Sequence, residues 1–329
     1  MNFQLQHSDI QQYYRGGKNY DLSIILMKCI ATFFVLNSHM SICYPENFRF
    51  LSSGGAIGNA LFFFISGFTL FLSKPTDFFN YYKKRIARVY PAVIGMALFA
   101  CLTFYSSGNI IYELTRYWFI NCIMIYYAIL WFCRYCKLNI PFIICVASCI
   151  SIFLLLYSFN FKSGNLIYSD LIFRYFLYFT FMAQGAFIGL HRDSYKCRWY
   201  HYFLLVTSFV SWYVFIILFK NNALQLLSLL SLFVFCYSLY VVGRVKWITT
   251  LIKLPYVNWI IYFCGALCLE VYLIQKLFFT SALNFIFPLN IPVIMGTVIL
   301  GAYLLHIFSN IFVQTFEKNP YNYKKIFQL

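Results

Sequence analysis

The chain has 329 residues, of which 62% are hydrophobic and only 10% are charged, and its mean hydropathy is +0.72. A soluble domain carries about 25% charged residues, so this composition excludes an ordinary soluble protein and predicts a multi-pass membrane protein. The formal net charge of +16 would suit a nucleic-acid partner. The Lys and Arg residues lie between apolar runs, however, where they orient membrane helices, and no nucleic acid is expected.

Three regions are predicted along the chain. Residues 1–20 are polar, contain Arg15 and Lys18, and form a predicted cytoplasmic tail. They lack the apolar stretch of a cleavable signal peptide, so none is expected. Residues 21–315 form the predicted membrane domain, and residues 316–329 form a second cytoplasmic tail.

Ten apolar runs approach the roughly 20 residues that a membrane-spanning helix needs. The predicted fold is therefore all-α, a polytopic integral membrane protein of about ten transmembrane helices. Proline residues, Pro91 among them, lie mostly at the edges of the runs, as is typical of helix ends. The runs are 22–43, 55–73, 91–107, 116–133, 140–160, 170–190, 200–219, 222–242, 256–279 and 291–314.

The distribution of basic residues predicts that both termini are cytoplasmic. With the N-terminus inside, most of the 25 Lys and Arg residues fall on the cytoplasmic side, which is the side that positive charge marks in membrane proteins. Two lysines, Lys28 and Lys276, lie within spans. The outside segments then hold only Arg49, Arg116, Lys162, Arg174 and Lys220.

The first apolar run contains two polar side chains, Lys28 and His39. Eleven steps of about 100° place both on one helix face, about 16 Å apart along the axis. Such groups are costly in a membrane unless they face a polar interior, so this face is the leading candidate for function. The alternative is that His39 is a packed or interfacial histidine.

Small residues fill the start of the second run. The segment SSGGAIGNALFFFISGF, residues 52–68, contains Gly54, Gly55, Gly58 and Gly67. Small residues let helix backbones approach closely, so the direct role predicted for these glycines is helix packing.

A basic segment precedes the third run. In DFFNYYKKRIARVYP, residues 77–91, Arg85 and Arg88 stand three residues apart, with Lys83 and Lys84 beside them. The pattern predicts a short amphipathic helix on the cytoplasmic membrane surface. Paired arginines can bind phosphate through two hydrogen bonds each, whereas the plainer alternative is that they only fix the topology.

One acidic residue, Glu270 in GALCLEVYLIQ, lies deep inside a run. A carboxylate at that depth needs a partner or a function. Two alternatives stay open: Glu270 neutralises Lys28, or it orients an imidazole.

No metal site is predicted. The chain has 12 cysteines, nearly all within apolar runs, where Cys behaves as a small hydrophobe. Cys133 and Cys136 form a single CxxC pair without a second pair or a histidine to complete it.

Four segments together resemble the acyltransferase-3 family of membrane O-acyltransferases. Lys28-x10-His39 is similar to the family's Arg/Lys-x10-His motif, and FFFISGF at 62–68 to its FFxxSGF segment. Arg85-x-x-Arg88 followed by VYP resembles its RxxR-hydrophobic-Tyr-Pro motif, and LEVYLIQ at 269–275 its SxxIYLxH segment. The four occur in the family's order and span almost the whole chain after residue 20.

The resemblance implies transfer of an acyl group, usually acetyl from acetyl-CoA, to a sugar hydroxyl of a surface glycan such as O-antigen or capsule. It implies a bacterial inner-membrane enzyme in which His39 is catalytic and Lys28 is its partner along the same channel. Glu270 is added from its depth in the run alone, as a residue that either orients His39 or keeps Lys28 charged. The resemblance also implies that Arg85 and Arg88, with Lys84 beside them, bind the CoA phosphates, and that membrane lipids surround the helices.

This chain departs from the family pattern in two positions. Lys28 stands where many members have Arg, and Gln275 stands where many have His. Two other functions are alternatives. A polysaccharide polymerase or flippase would need cationic residues outside, where few lie, and a transporter would show repeated halves, which are not evident.

Overall fold

The computed structural model describes residues 21–72, 76–103, 117–158, 171–219, 223–316 and 320–328. Every regular element within these ranges is helical, which confirms the all-α class. The predicted tail 1–20 and several of the counted cations, such as Arg116 and Lys220, lie outside these ranges. The helices are α1 (Leu22–His39), α2 (Gly55–Leu72), α3 (Phe78–Thr103), α4 (Trp118–Tyr135), α5 (Ile140–Ser158), α6 (Leu171–Leu190), α7 (Trp199–Leu218), α8 (Leu227–Gly243), α9 (Lys246–Ile252), α10 (Pro255–Ala266), α11 (Cys268–Ile274), α12 (Asn290–Thr315) and α13 (Tyr323–Ile326).

Several of these helices are long and apolar enough to cross a membrane. Six segments of the described chain meet that condition, and the pair α10 and α11 adds a seventh if it forms one bent span. Each of the ten predicted runs contains a helix at the expected place. The chain is therefore a multi-pass membrane protein by length and composition, while the count of ten and the cytoplasmic termini stay predictions.

The third predicted span is wrong in detail. Instead of a surface helix followed by a separate span at 91–107, one continuous helix, α3, runs from Phe78 to Thr103 with Pro91 inside it. Asp77 accepts hydrogen bonds from the backbone and side chain of Asn80, at 3.0 and 2.7 Å. These bonds cap the helix start and hold the pKa of the Asp77 carboxyl below its usual range.

Packing explains how α3 accommodates a proline that costs about 3 kcal/mol inside a helix. Val89, Ala92, Val93 and Met96 are all buried and recur at helical spacing on both sides of Pro91. The helix rests on α11 and α12 along this face. Burial of a continuous apolar stripe therefore outweighs the hydrogen bond that the proline removes.

The ninth predicted span is broken. Helices α10 and α11 meet at Leu267, which is fully buried, and their axes differ by 56°. Just before the bend, Gly265 lies against α1: a Cβ there would be 3.2 Å from the Lys28 Cβ and 3.3 Å from the Ile25 carbonyl. Glycine adjacent to a helix break lowers the cost of the bend and brings α11 close to Lys28.

Helix α1 lies at the centre of the bundle, in contact with α2, α8, α10 and α11.

Helix α2 packs on α6 over the longest interface. Glycines make the contact between α2 and α6 possible. A Cβ on Gly67 would lie 1.8 Å from the Met182 carbonyl oxygen, and one on Gly185 would lie 1.8 Å from that of Phe64. The predicted packing role of the glycine segment is confirmed at Gly67.

Candidate active site

The inner part of the candidate site forms around Lys28. Its side chain is half-buried on α1 and interacts electrostatically with Arg88 of α3 and Cys268 of α11. Cys268 in turn interacts with Lys28, Arg88 and Glu270. Three helices thus bring two cations, a thiol and a carboxyl group together near the bend of the broken span.

Glu270 belongs to this cluster and has a direct partner on α12. Its Oε1 lies 2.9 Å from Nδ1 of His306 on α12, and both side chains are largely buried. The other ring nitrogen of His306, Nε2, lies 2.9 Å from the backbone carbonyl oxygen of Gln328. The imidazole that contacts Glu270 is therefore His306 rather than His39.

This pairing corrects one expectation. The sequence predicts that Glu270 either orients His39 or keeps Lys28 charged, whereas the side chain in direct contact with Glu270 is the imidazole of His306. A signal was available, because Glu270 and His306 are polar residues in two consecutive predicted spans. Adjacent spans pack closely, and a buried carboxyl group favours a hydrogen-bonding partner from the neighbouring helix.

The outer part of the site is the end of α1, where His39 is the last helical residue and is exposed. Lys276, just after α11, is its electrostatic neighbour. Asn37, two residues before His39, is held by two hydrogen bonds. Its Nδ2 donates to the Leu51 carbonyl at 2.7 Å, and its Oδ1 accepts from the Tyr44 hydroxyl at 2.6 Å. The loop after α1 therefore fixes the position of His39.

The basic residues on α3 occupy different surroundings. Arg88 is exposed and interacts electrostatically with Lys28, whereas Arg85 stacks over the rings of Tyr81 and Tyr127, with centroids 4.7 and 5.8 Å away. Lys84 is exposed. Of the three, Arg88 is the residue that the structure connects to the Lys28 cluster.

Gln275, which replaces the family's histidine, is 1% exposed. Its amide nitrogen donates to the Tyr272 carbonyl at 3.2 Å, and its Oε1 has no hydrogen-bond partner among the described residues. A buried amide oxygen without a donor is unfavourable unless a bound molecule supplies one.

We expect the contributions of Glu270 and His306 to the free energy of unfolding to be strongly coupled. Replacing either residue alone with Leu leaves the other buried without its partner and should cost about 3 kcal/mol or more. The double variant should be less destabilised than the sum of the single variants, by about 0.5–3 kcal/mol. Thermal unfolding in detergent measures all three.

The exposed pair Glu46–Arg49, 3.5 Å apart, is the matched control. Its Leu variants should show little coupling because solvent screens exposed pairs. Additive effects at Glu270 and His306 would contradict the coupling.

Ionisable residues gathered beside helices long enough to span a membrane, here Lys28, Arg88, Glu270 and His306, indicate a functional site. The family model for the acyltransferase-3 domain, described as "Acyltransferase domain", matches residues 21–307. The chain therefore belongs to the acyltransferase-3 family and is a membrane acyltransferase. Comparison with curated proteins and comparison with solved structures each gave no match.

Proposed function

We propose that this acyltransferase transfers an acetyl group from cytoplasmic acetyl-CoA to a hydroxyl group of a surface glycan, of O-antigen or capsule type, at the bacterial inner membrane. One observation carries the proposal. Helix α1 holds Lys28 within a cationic cluster at one level and ends at the exposed imidazole of His39, about 16 Å further along its axis. A single rigid helix therefore links a candidate donor site to a candidate acceptor site.

The donor end is assigned to the cytoplasmic half of α3. Arg88, Arg85 and Lys84 bind the CoA phosphates, and Arg88 contributes most because its charge and that of Lys28 act together on the donor. Arginine suits this role since its planar guanidinium donates two parallel hydrogen bonds to phosphate. The pantetheine arm then runs along α1, past Lys28, and carries the thioester towards His39.

The chemical step is assigned to His39, whose neutral imidazole suits proton transfer near pH 7. In a ternary complex, the imidazole takes the proton of the glycan hydroxyl as that oxygen attacks the thioester carbonyl carbon. A C–O bond forms, the C–S bond breaks, and the departing CoA thiolate takes the proton from the imidazolium. In the alternative route, a ring nitrogen attacks the thioester carbon, the C–S bond breaks, and the departing CoA thiolate takes the proton from the other ring nitrogen. The glycan hydroxyl oxygen then attacks the acetyl carbon, the C–N bond breaks, and the hydroxyl proton returns to the ring.

The other polar groups support this step. Lys28 places a positive charge along the path of the thioester, and Glu270 acts through its pairing with His306 beside that charge.

Replacing Arg88 with Gln should raise the KM for acetyl-CoA about tenfold with little change in kcat. The reason is that a phosphate–guanidinium contact is present equally in the ground state and in the transition state. Steady-state assays in lipid nanodiscs measure both constants. Lys253→Gln, which removes an exposed cation after α9, is the control. An unchanged KM would mean that Arg88 does not bind the donor and only fixes the topology.

The proposal as a whole is tested by NMR of the surface polysaccharide from cells that lack the gene and from cells complemented with it. Acetyl groups should disappear in the deletion strain and return on complementation. Normal acetylation accompanied by an altered chain length or a lost polymer would instead indicate a polymerase or flippase.

A further inference from the structure

Aromatic side chains form the contact between the beginning of α3 and the end of α4. The rings of Phe78 and Trp131 meet edge to face, with centroids 5.1 Å apart, and Phe78 also stacks on Tyr82 at 5.5 Å. The indole Nε1–H of Trp131 donates to the Thr76 carbonyl at 3.0 Å. Two separate contacts therefore fix the position of the Trp131 indole.

The ring of Tyr135 lies on this indole, one turn further along α4. The two rings are almost parallel, with an angle of 13° between their planes and centroids 5.1 Å apart. Tyr135 is nevertheless 72% exposed. The Trp131–Tyr135 stack is thus a flat aromatic surface that the protein holds from one side and leaves accessible from the other.

Exposed cations surround the stack. Lys83 and Lys84 lie in the second turn of α3, and Lys137 follows Tyr135 by two residues. The acidic side chain at this end of α3, Asp77, adds a single negative charge, so the surface is positive overall. An aromatic ring that offers a free face among cations is the combination that binds the base and the phosphates of a nucleotide.

The stack shares a face of α4 with an arginine of the proposed donor site. Tyr127, Trp131 and Tyr135 recur every four residues and therefore lie one above another along α4. Arg85 lies over the ring of Tyr127, 5.8 Å from its centroid. A base on Tyr135 would be about 12 Å along the helix from the level of this guanidinium.

The order of these groups matches the order of the parts of CoA. Along α3, Phe78 contacts the stack, Arg85 follows about 10 Å further on, and Arg88 follows about 15 Å further on. Arg88 interacts electrostatically with Lys28. CoA carries an adenine base, then phosphates, then the pantetheine arm and its thioester. Adenine on the stack would place the phosphates towards the two arginines and direct the thioester towards α1.

We propose that the Trp131–Tyr135 stack is the adenine subsite of the acyl-donor site. The base lies on the accessible face of Tyr135, and the lysines around it bind the phosphate on the ribose. This inference rests on the donor proposed above. It adds the end of α4 to a donor site otherwise formed by α1 and α3, and it predicts that the enzyme distinguishes acetyl-CoA from donors that lack the nucleotide.

KM values for acetyl-CoA and for S-acetylpantetheine, which lacks the nucleotide, test the subsite in nanodiscs. Tyr135→Ala should raise the KM for acetyl-CoA about tenfold, as expected for loss of one base–aromatic stack, without changing the KM for S-acetylpantetheine. Tyr135→Phe keeps the ring and should restore the KM for acetyl-CoA. Tyr256→Ala, which removes an exposed ring near the start of α10, is the control. Equal effects of Tyr135→Ala on both donors, or an unchanged KM for acetyl-CoA, would overturn the proposal and assign the stack to the membrane interface.

Direct binding of adenosine 3′,5′-bisphosphate, followed by tryptophan fluorescence, tests the subsite without turnover. The chain has six tryptophans, and comparison with Trp131→Phe isolates the signal of Trp131. The bisphosphate should quench that signal, with an affinity at least fivefold weaker in Tyr135→Ala. Absence of quenching, or tighter binding of ATP than of the bisphosphate, would refute an adenine subsite for CoA. A protein that binds the bisphosphate at Trp131 but does not use acetyl-CoA would refute the proposed acetyl donor and support the adenine site.

Discussion

Replacing His39 with Ala should lower kcat for acetyl transfer by about 10²–10⁴-fold while the protein still inserts and folds. The size follows from the loss of a general base, which typically contributes that factor. Folding should survive because His39 is exposed and ends α1, and because the contacts of Asn37, rather than those of His39, fix this end of the helix. The rate is measured with purified protein in nanodiscs, acetyl-CoA and the acceptor glycan.

His191→Ala is the matched control, since His191 is also exposed and also follows the end of a helix, but on the α6 side of the bundle. It should leave kcat unchanged. Wild-type turnover by His39→Ala would reject His39 as the base. If the variant lost thermal stability together with activity, its role would be structural.

The positions of the helices and of the residues on α1 could be predicted from the sequence. Each apolar run is long relative to the uncertainty of its ends, so every predicted run contains a helix. Lys28 and His39 lie on one uninterrupted helix because no Gly or Pro stands between them. Gly67 was predicted to permit close helix contact, and the α2–α6 interface confirms this.

Features that depend on tertiary contacts could not be read from the sequence. The sequence predicts a helix end near Pro91, but burial of α3 against α11 and α12 keeps the helix continuous through it. The bend at Leu267 occurs within an apolar run whose composition gives no clear signal. The contact of Gln328 with His306 joins a backbone carbonyl to a side chain, and no residue pattern marks such a carbonyl in advance.

The roles proposed for Arg85 and Arg88 show the same limit. The motif presents them as an equivalent pair, three residues apart on one helix. In the fold, Arg85 covers the aromatic rings of Tyr81 and Tyr127, whereas Arg88 is near enough to Lys28 for their charges to interact. Arginine stacked on two rings is held by those contacts and has less freedom to move towards a ligand. Spacing alone therefore identifies the pair but does not say which arginine serves the donor.

We expect Gly67→Ala to destabilise the bundle by about 3 kcal/mol or more, although the substitution adds a single methyl group. The new Cβ would lie 1.8 Å from the Met182 carbonyl oxygen and 2.8 Å from its carbon. Both are backbone atoms of α6, which no side-chain rotation can move, so α2 and α6 would have to separate. Separation would open the contacts of Phe63, Phe64 and Phe68, all fully buried, and overpacking of this kind costs more than the added methyl gains.

Gly185→Ala should behave similarly, because its Cβ would lie 1.8 Å from the Phe64 carbonyl oxygen on the opposite side of the same interface. Gly296→Ala is the control: it lies within α12, and a Cβ there meets no atom within 4 Å. It should be neutral or slightly stabilising, since alanine is the better helix former. Thermal unfolding of the three variants in detergent gives the comparison. If Gly67→Ala unfolded at the wild-type temperature, the close α2–α6 approach would be refuted, and the glycine segment would need another explanation.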